Sequence, residues 1–271
     1  MQYLYHAAYL NEKGFGLMES GKQHEAFETF IGAVESISTM AQVMESHRQH
    51  QHRALSLLPS SRRRKQQPVS AFSSCILYND NYDLDGCGSN HSTSSTGSSS
   101  HSLCQHSNNF VYNQAFRFTA PRDLSIFFDN SREEGGGQSS PSAAHYIKLY
   151  RAILTFNSAL TFHQRSIGAN ESVKKTAEQV ACDLYMDAIN LLQDCYSTMD
   201  SCRVMAAALN NAAILFYELR DFAKFECFQS ELHLLLVDME SSFPRCVDPQ
   251  CLKSLFFNAT LLSPPRTAGA A

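Results

Sequence analysis

Residues 24–34 read HEAFETFIGAV, and residues 178–189 read EQVACDLYMDAI. Each carries the spacing Ala-x3-aromatic-x2-Ala: Ala26, Phe30 and Ala33 in the first, Ala181, Tyr185 and Ala188 in the second. At helical pitch these residues share one face, small then large then small. Small side chains let a second helix approach closely, and the ring fills the groove between the two axes. Such a face belongs to one helix of a helical hairpin. Its recurrence in order along the chain points to a stacked helical array.

The stretch before each motif reads as the partner helix. Ahead of Ala26, residues 9–22 (YLNEKGFGLMESGK) set Leu10, Gly14 and Leu17 at helical spacing, with Gly21 as the stop. Ahead of Ala181, residues 154–166 (LTFNSALTFHQRS) set Phe156, Ala159 and Phe162 likewise, and residues 208–222 (ALNNAAILFYELRDF) do so with Leu209, Ala213 and Phe216. At these residues the chain resembles the tetratricopeptide repeat (TPR) family. That family favours a bulky residue, a Leu-Gly pair and an aromatic in one helix, then Ala, an aromatic and Ala after a glycine turn. Residues 7–40 match best, through Gly14, Gly21, Ala26, Phe30 and Ala33, although Lys13 replaces the leucine. In the second unit extra residues separate the turn from Ala181, so its second helix starts early or its loop is long. In the third, Arg220-Asp221 replaces the glycine turn, and Phe225 stands where a small Ala is expected. The resemblance covers about half the chain. It implies an all-α fold: a right-handed array of about three TPR-like hairpins with a C-terminal capping helix, interrupted by a long low-complexity insertion. The residues themselves leave open an irregular helical bundle with small residues at its crossings.

Four regions follow. Residues 1–56 form the first hairpin, with helices near Tyr3–Glu19 and Gln23–His47. Residues 57–140 change character: a basic run at Arg62–Lys65, a Ser/Thr/Gly tract at 89–102 and the run EEGGGQSSPS buy too little burial to offset their ordering entropy. Two aromatic and β-branched stretches inside this region, AFSSCILYN (71–79) and NFVYNQAFRF (109–118), read as a short β-ribbon against the helices. Residues 141–262 hold the second and third hairpins, with helices near Ser142–Arg165, Ser172–Cys195, Ser201–Leu219 and Asp221–Met239. Asp248-Pro249 opens a capping helix by supplying an N-cap acceptor and then Pro at its first position. Residues 263–271 are expected to be a disordered tail.

Composition narrows the function classes. Charged residues make up 18% and net charge is −4, so no domain-wide basic excess suits nucleic acid. No apolar run reaches the ~20 residues of a membrane span, and MQYLYHAAYLNEKG lacks the order of a signal peptide. The expected location is intracellular and cytoplasmic, with the nucleus as an alternative through Arg62–Lys65. An odd cysteine total, with Cys182, Cys195, Cys202, Cys227 and Cys251 in predicted helices, reads as free thiols.

Candidate chemistry is sparse. Asn81, Asp83, Asp85 and Gly86 have the spacing that opens a calcium loop, but Ser92 stands where the closing Glu belongs. Cys87, His91, Cys104 and His106 lack the tight cysteine knuckles of structural zinc. No nucleophile elbow, phosphate loop or H-E-x-x-H occurs. Neither a catalytic residue, a metal nor a cofactor is expected.

In arrays of the TPR family the first helix of each hairpin lines a concave groove. Carried over, this places Asn11, Phe15 and Met18 in the groove from the first hairpin and Asn157, Leu160 and His163 from the second. The third would supply Asn210, Asn211, Ile214 and Tyr217. An Asn recurs at a similar level, and its amide offers an acceptor and two donor hydrogens to an extended main chain. The same Asn residues could instead tie neighbouring hairpins together. The Lys/Arg set with which one subclass holds a terminal carboxylate is missing from the matching positions. The expected function is a noncatalytic protein–protein interaction module that binds a partner segment. The alternative is an enzyme or ligand-binding protein on an irregular bundle.

Overall fold

In the computed structural model, residues 2–56, 111–120, 142–195, 198–242, 255 and 258 are described. Their helices are α1 (Gln2–Glu19), α2 (Gln23–Ser56), α3 (Ala143–Ser166), α4 (Glu171–Leu192), α5 (Met199–Glu218) and α6 (Phe222–Ser242). The described residues are all-helical apart from turns and one unpaired segment, and hold no strand. Each helix packs on the next in the chain, from α1 on α2 through α5 on α6, and α3 also meets α5. Short links make α1–α2, α3–α4 and α5–α6 antiparallel neighbours. No helix among the described residues is long and apolar enough to cross a membrane.

The small–aromatic–small faces are the seams. Ala26, Phe30 and Ala33 are wholly buried, as are Ala181, Tyr185 and Ala188. Gly14 on α1 faces Phe30 so closely that a Cβ there would lie 2.5 Å from the ring. Phe27 of α2 meets Phe162 of α3 edge-on at 4.7 Å, which joins one hairpin to the next. Helix α5 is buried on nearly every side, with Arg203 a partial exception between Cys202 and Val204. A helix apolar all round can only be an internal one.

The turns repeat one geometry with different residues. After α1, Gly21 takes φ 75°, its N–H bonds Met18 O, and Lys22 N–H bonds Leu17 O. This is a Schellman cap. After α5, Arg220 occupies the same role at φ 61°, with Arg220 N–H on Tyr217 O and Asp221 N–H on Phe216 O. The third turn therefore keeps the shape of a glycine turn without the glycine.

Several boundaries differ from the sequence expectation. Helix α2 continues past His47 to Ser56, because residues 48–56 hold no Gly or Pro to stop it. Helix α4, by contrast, begins at Glu171, within one residue of the expected Ser172 and as the early start rather than the long loop, since Asn170 caps it through Val173 N–H at 3.0 Å. Residues 111–120 carry no ladder: their backbone bonds go to side chains of the helices instead. The stretch 71–79 lies outside the described residues. So do Arg62–Lys65, the Asn81–Ser92 and Cys87–His106 patterns, Asp248-Pro249 and residues 263–271. Of the expected capping helix, Leu255 and Asn258 are described, both helical and buried. Cys182, Cys195, Cys202 and Cys227 are free thiols.

Candidate functional site

Of the Asn residues singled out on α1, α3 and α5, Asn11, Asn157 and Asn211 converge on a single object, residues 111–120 of the chain itself. Asn157 Oδ1 accepts from Phe116 N–H at 2.9 Å, and Asn157 Nδ2 donates to Phe116 O at 2.8 Å. Asn211 repeats the pattern on Tyr112, accepting from its N–H at 2.8 Å and donating to its carbonyl at 2.9 Å. Asn11 Nδ2 adds a second donor to Phe116 O at 3.1 Å. One amide can meet both polar groups of one residue only where they point the same way, as they do in β-region backbone. The segment is therefore extended at Tyr112 and at Phe116.

Each clamp is also held from behind. Asn157 Nδ2 donates to Asn11 Oδ1 at 2.9 Å, which ties α3 to α1. Asn211 Nδ2 donates to the Tyr185 hydroxyl at 3.0 Å, and Asn211 Oδ1 accepts from Asn210 Nδ2 at 3.1 Å. Asn210 Oδ1 in turn accepts from Asn258 Nδ2 at 3.0 Å. The two roles weighed for these residues, gripping a main chain and bridging hairpins, are thus both present in the geometry. Asn11, Asn157, Asn210 and Asn211 are each 2% exposed or less, so the hydrogen bonds fulfil what burial of an amide demands.

Tyr185 links the packing seam to this network. Its ring fills the second small–aromatic–small face, and its hydroxyl lies 3.4 Å from His163 Nδ1. Burial lowers the His163 pKa to about 4, so the imidazole is neutral at pH 7 and its Nδ1 is able to accept. Burial holds the Tyr185 hydroxyl well above the usual phenol range, and it stays protonated. The hydroxyl then accepts from Asn211 and donates to His163.

Rings do the rest. Phe116 stacks with Tyr112 at 5.4 Å and meets Phe156 at 5.1 Å, and Phe118 stacks on Tyr150 at 4.6 Å. The Arg117 guanidinium lies over Phe15 at 3.6 Å from the ring centre and reaches Glu12 Oε1 at 3.6 Å. The first contact has the geometry of a cation–π pair. The second lies at an exposed rim, where an ion pair contributes little.

Not every expected groove residue reaches the segment by a described contact. Phe15 does, through Arg117. Met18 and Leu160 are buried apolar side chains of the hydrophobic core, and Ile214 is buried as well. His163 acts one step removed, through Tyr185. Tyr217 is turned away: it is 45% exposed and packs on Phe222 and Phe225 beside the α5–α6 turn. It sits in the last turn of α5, where the helix faces its own hairpin partner. Sequence reasoning missed Tyr112, Phe116, Arg117, Phe118 and Asn258. The signal present is the rings at even positions 112, 116 and 118, which by sequence read as a β-ribbon against the helices; the structure keeps the helix packing and not the strand pairing.

A separate cleft of about 470 Å³ lies between α2, α3 and α4, with Arg151, Thr155, Ser158, Asp187 and Asn190 among its lining. No group of three or more His, Cys, Asp or Glu that could hold a metal occurs among the described residues. No family model matches the chain, and no curated protein or solved structure matches it either.

Proposed function

We propose that this chain is a noncatalytic protein–protein interaction module, a TPR-like array of three helical hairpins whose groove takes a partner segment by its main chain. The observation that carries the reading is the Asn set on α1, α3 and α5, with amides bonded to the N–H and C=O of single residues. Such contacts are indifferent to side-chain identity, so they suit recognition of a backbone. The neighbouring aromatic side chains of α3, Tyr150 and Phe156, then select what the backbone carries. The module works inside the cell, in the cytoplasm or, through Arg62–Lys65, in the nucleus. A ligand-binding or enzymatic bundle is the rival reading, and the cleft at Arg151 and Asp187 is its best site.

The test compares Asn157→Ala with Asn211→Ala against its parent, both chains also carrying Phe116→Ala with Phe118→Ala to release residues 111–120 from the groove, for melting and for affinity toward a partner recovered with the intact chain. Each lost hydrogen bond is worth about 0.5–1.5 kcal/mol net. With two main-chain bonds at each of the two sites, the predicted loss of affinity is about thirtyfold to ten-thousandfold, at about 1.4 kcal/mol per tenfold. Unaltered affinity with lowered stability would assign these Asn residues to structure alone.

A further inference from the structure

We propose that residues 111–120 are an internal stand-in for the groove's partner, and that the partner is a protein segment of the same chemistry. That chemistry is a β-region backbone with aromatic rings at its second, sixth and eighth positions and a cationic side chain at the seventh, read from Tyr112, Phe116, Phe118 and Arg117. The inference rests on the reading of the groove as a backbone receptor.

The contacts are of the receptor kind. The segment's described backbone bonds go to side chains of α3, α5 and α1, and none goes to another strand. Its side chains add ring contacts and one cation–π contact, while Asn113 and Thr119 face solvent. Residues 57–110 separate it from α2 and residues 121–141 from the cap of α3, and it forms part of none of the six helices α1 to α6.

The groove is also built to persist without its occupant. Asn157 keeps Asn11, Asn211 keeps Tyr185 and Asn210, and Asn210 keeps Asn258 when the segment's bonds are removed. The amides that would face an incoming main chain are therefore already oriented. Preorganisation of this sort lowers the ordering cost of binding. An Asn whose every bond went to residues 111–120 would have no such property.

Occupancy in cis then sets a threshold. A tethered competitor weakens a free one by the ratio of its effective concentration, on the order of 1 mM, to its own dissociation constant. For a segment held with a dissociation constant of about 0.1 mM the partner faces about a tenfold penalty. A partner must therefore either bind more tightly or be tethered itself.

The experiment uses a fluorescent peptide, VYNQAFRFTA, against the full chain and against the full chain carrying Phe116→Ala with Phe118→Ala. That variant removes two ring anchors of the internal segment and leaves every groove Asn in place. The expected result is binding to the variant about tenfold or more tighter than to wild type, lost when the peptide's own two Phe residues are Ala. Equal binding to both proteins that is lost on Asn157→Ala with Asn211→Ala would overturn the stand-in while keeping the groove as a backbone receptor. Absence of binding to both folded proteins would overturn the groove reading itself. Hydrogen exchange on the wild-type chain covers the case of a variant that does not fold. The amides of Tyr112 and Phe116 should exchange about a hundredfold or more faster than those of Ile153 to Leu160 in α3, since local undocking suffices to expose them. Equal rates would make the segment an integral part of the core and overturn the proposal.

Discussion

Gly14→Ala and Gly16→Ala are the same chemical change on the same helix, and the structure assigns them opposite signs. A methyl group at Gly14 would stand 2.5, 2.8 and 2.8 Å from Cε1, Cδ1 and Cζ of Phe30. Carbon atoms prefer about 3.5–4.0 Å, so the ring must retreat by roughly 1 Å. Phe30 is wholly buried between Ala26 and Ala33 and has nowhere to go unless α1 and α2 separate. Overpacking of this kind costs about 1–3 kcal/mol, and a rigid ring as the obstacle favours the upper end. Replacing Gly by Ala inside a helix returns about 1 kcal/mol of propensity. Gly14→Ala should therefore lose about 1–2 kcal/mol net. At Gly16 an added Cβ meets nothing within 4 Å, so the propensity gain stands alone and the variant should gain about 1 kcal/mol. The difference between the two variants cancels propensity and isolates the steric cost of the seam. Urea unfolding of the full chain, followed by helical circular dichroism, measures it. Phe30→Leu in the Gly14→Ala background should cost less than Phe30→Leu alone, because the two positions share one space. Gly14→Ala stabilising as much as Gly16→Ala would refute the close approach of α1 to α2 at this point.

Other outcomes follow from the same geometry. Tyr185→Phe should cost about 1–3 kcal/mol, because Asn211 and His163 lose a buried hydroxyl partner; a melting temperature equal to wild type would remove Tyr185 from the network. Arg220→Gly should raise stability by up to about 1 kcal/mol by relieving a left-handed residue at φ 61°, and thermal melting that moves down instead would show that the Arg side chain earns its place. Stability should also fall as pH drops below about 6.5. His163 is held down to about 4 in the folded chain, so the unfolded chain takes up the proton first and stability present at neutral pH is lost on the way to pH 4. The full effect is on the order of 3 kcal/mol. His145, lowered by burial and by Lys148, adds the same sign, so the diagnostic quantity is the excess loss of wild type over His163→Gln between pH 7.5 and 5. Parallel pH profiles for the two proteins would place His163 in contact with water.

The sequence by itself determined the local structure. Periodicity of apolar residues marked the helices of both hairpin regions, and Gly21 sits at the end of α1 as a stop. Small–aromatic–small spacing identified both seams, because steric fit between adjacent helices is written in residues three and four apart. The recurrence of Asn11, Asn157 and Asn211 was legible for the same reason: they hold equivalent levels on repeated helices. Only the tertiary structure decided what those amides grip. Phe116 bonds to Asn157 across 41 positions and to Asn11 across 105, and Asn157 bonds to Asn11 across 146. No period connects such pairs. The rings of residues 109–118 suit a strand ladder and an aromatic groove equally, since both offer a pleated chain a place to bury alternate side chains. Which of the two receives them depends on where folding delivers free hydrogen-bonding edges. Here the Asn amides provide those edges in the space between α1, α3 and α5, and the segment lies there instead of in a ladder.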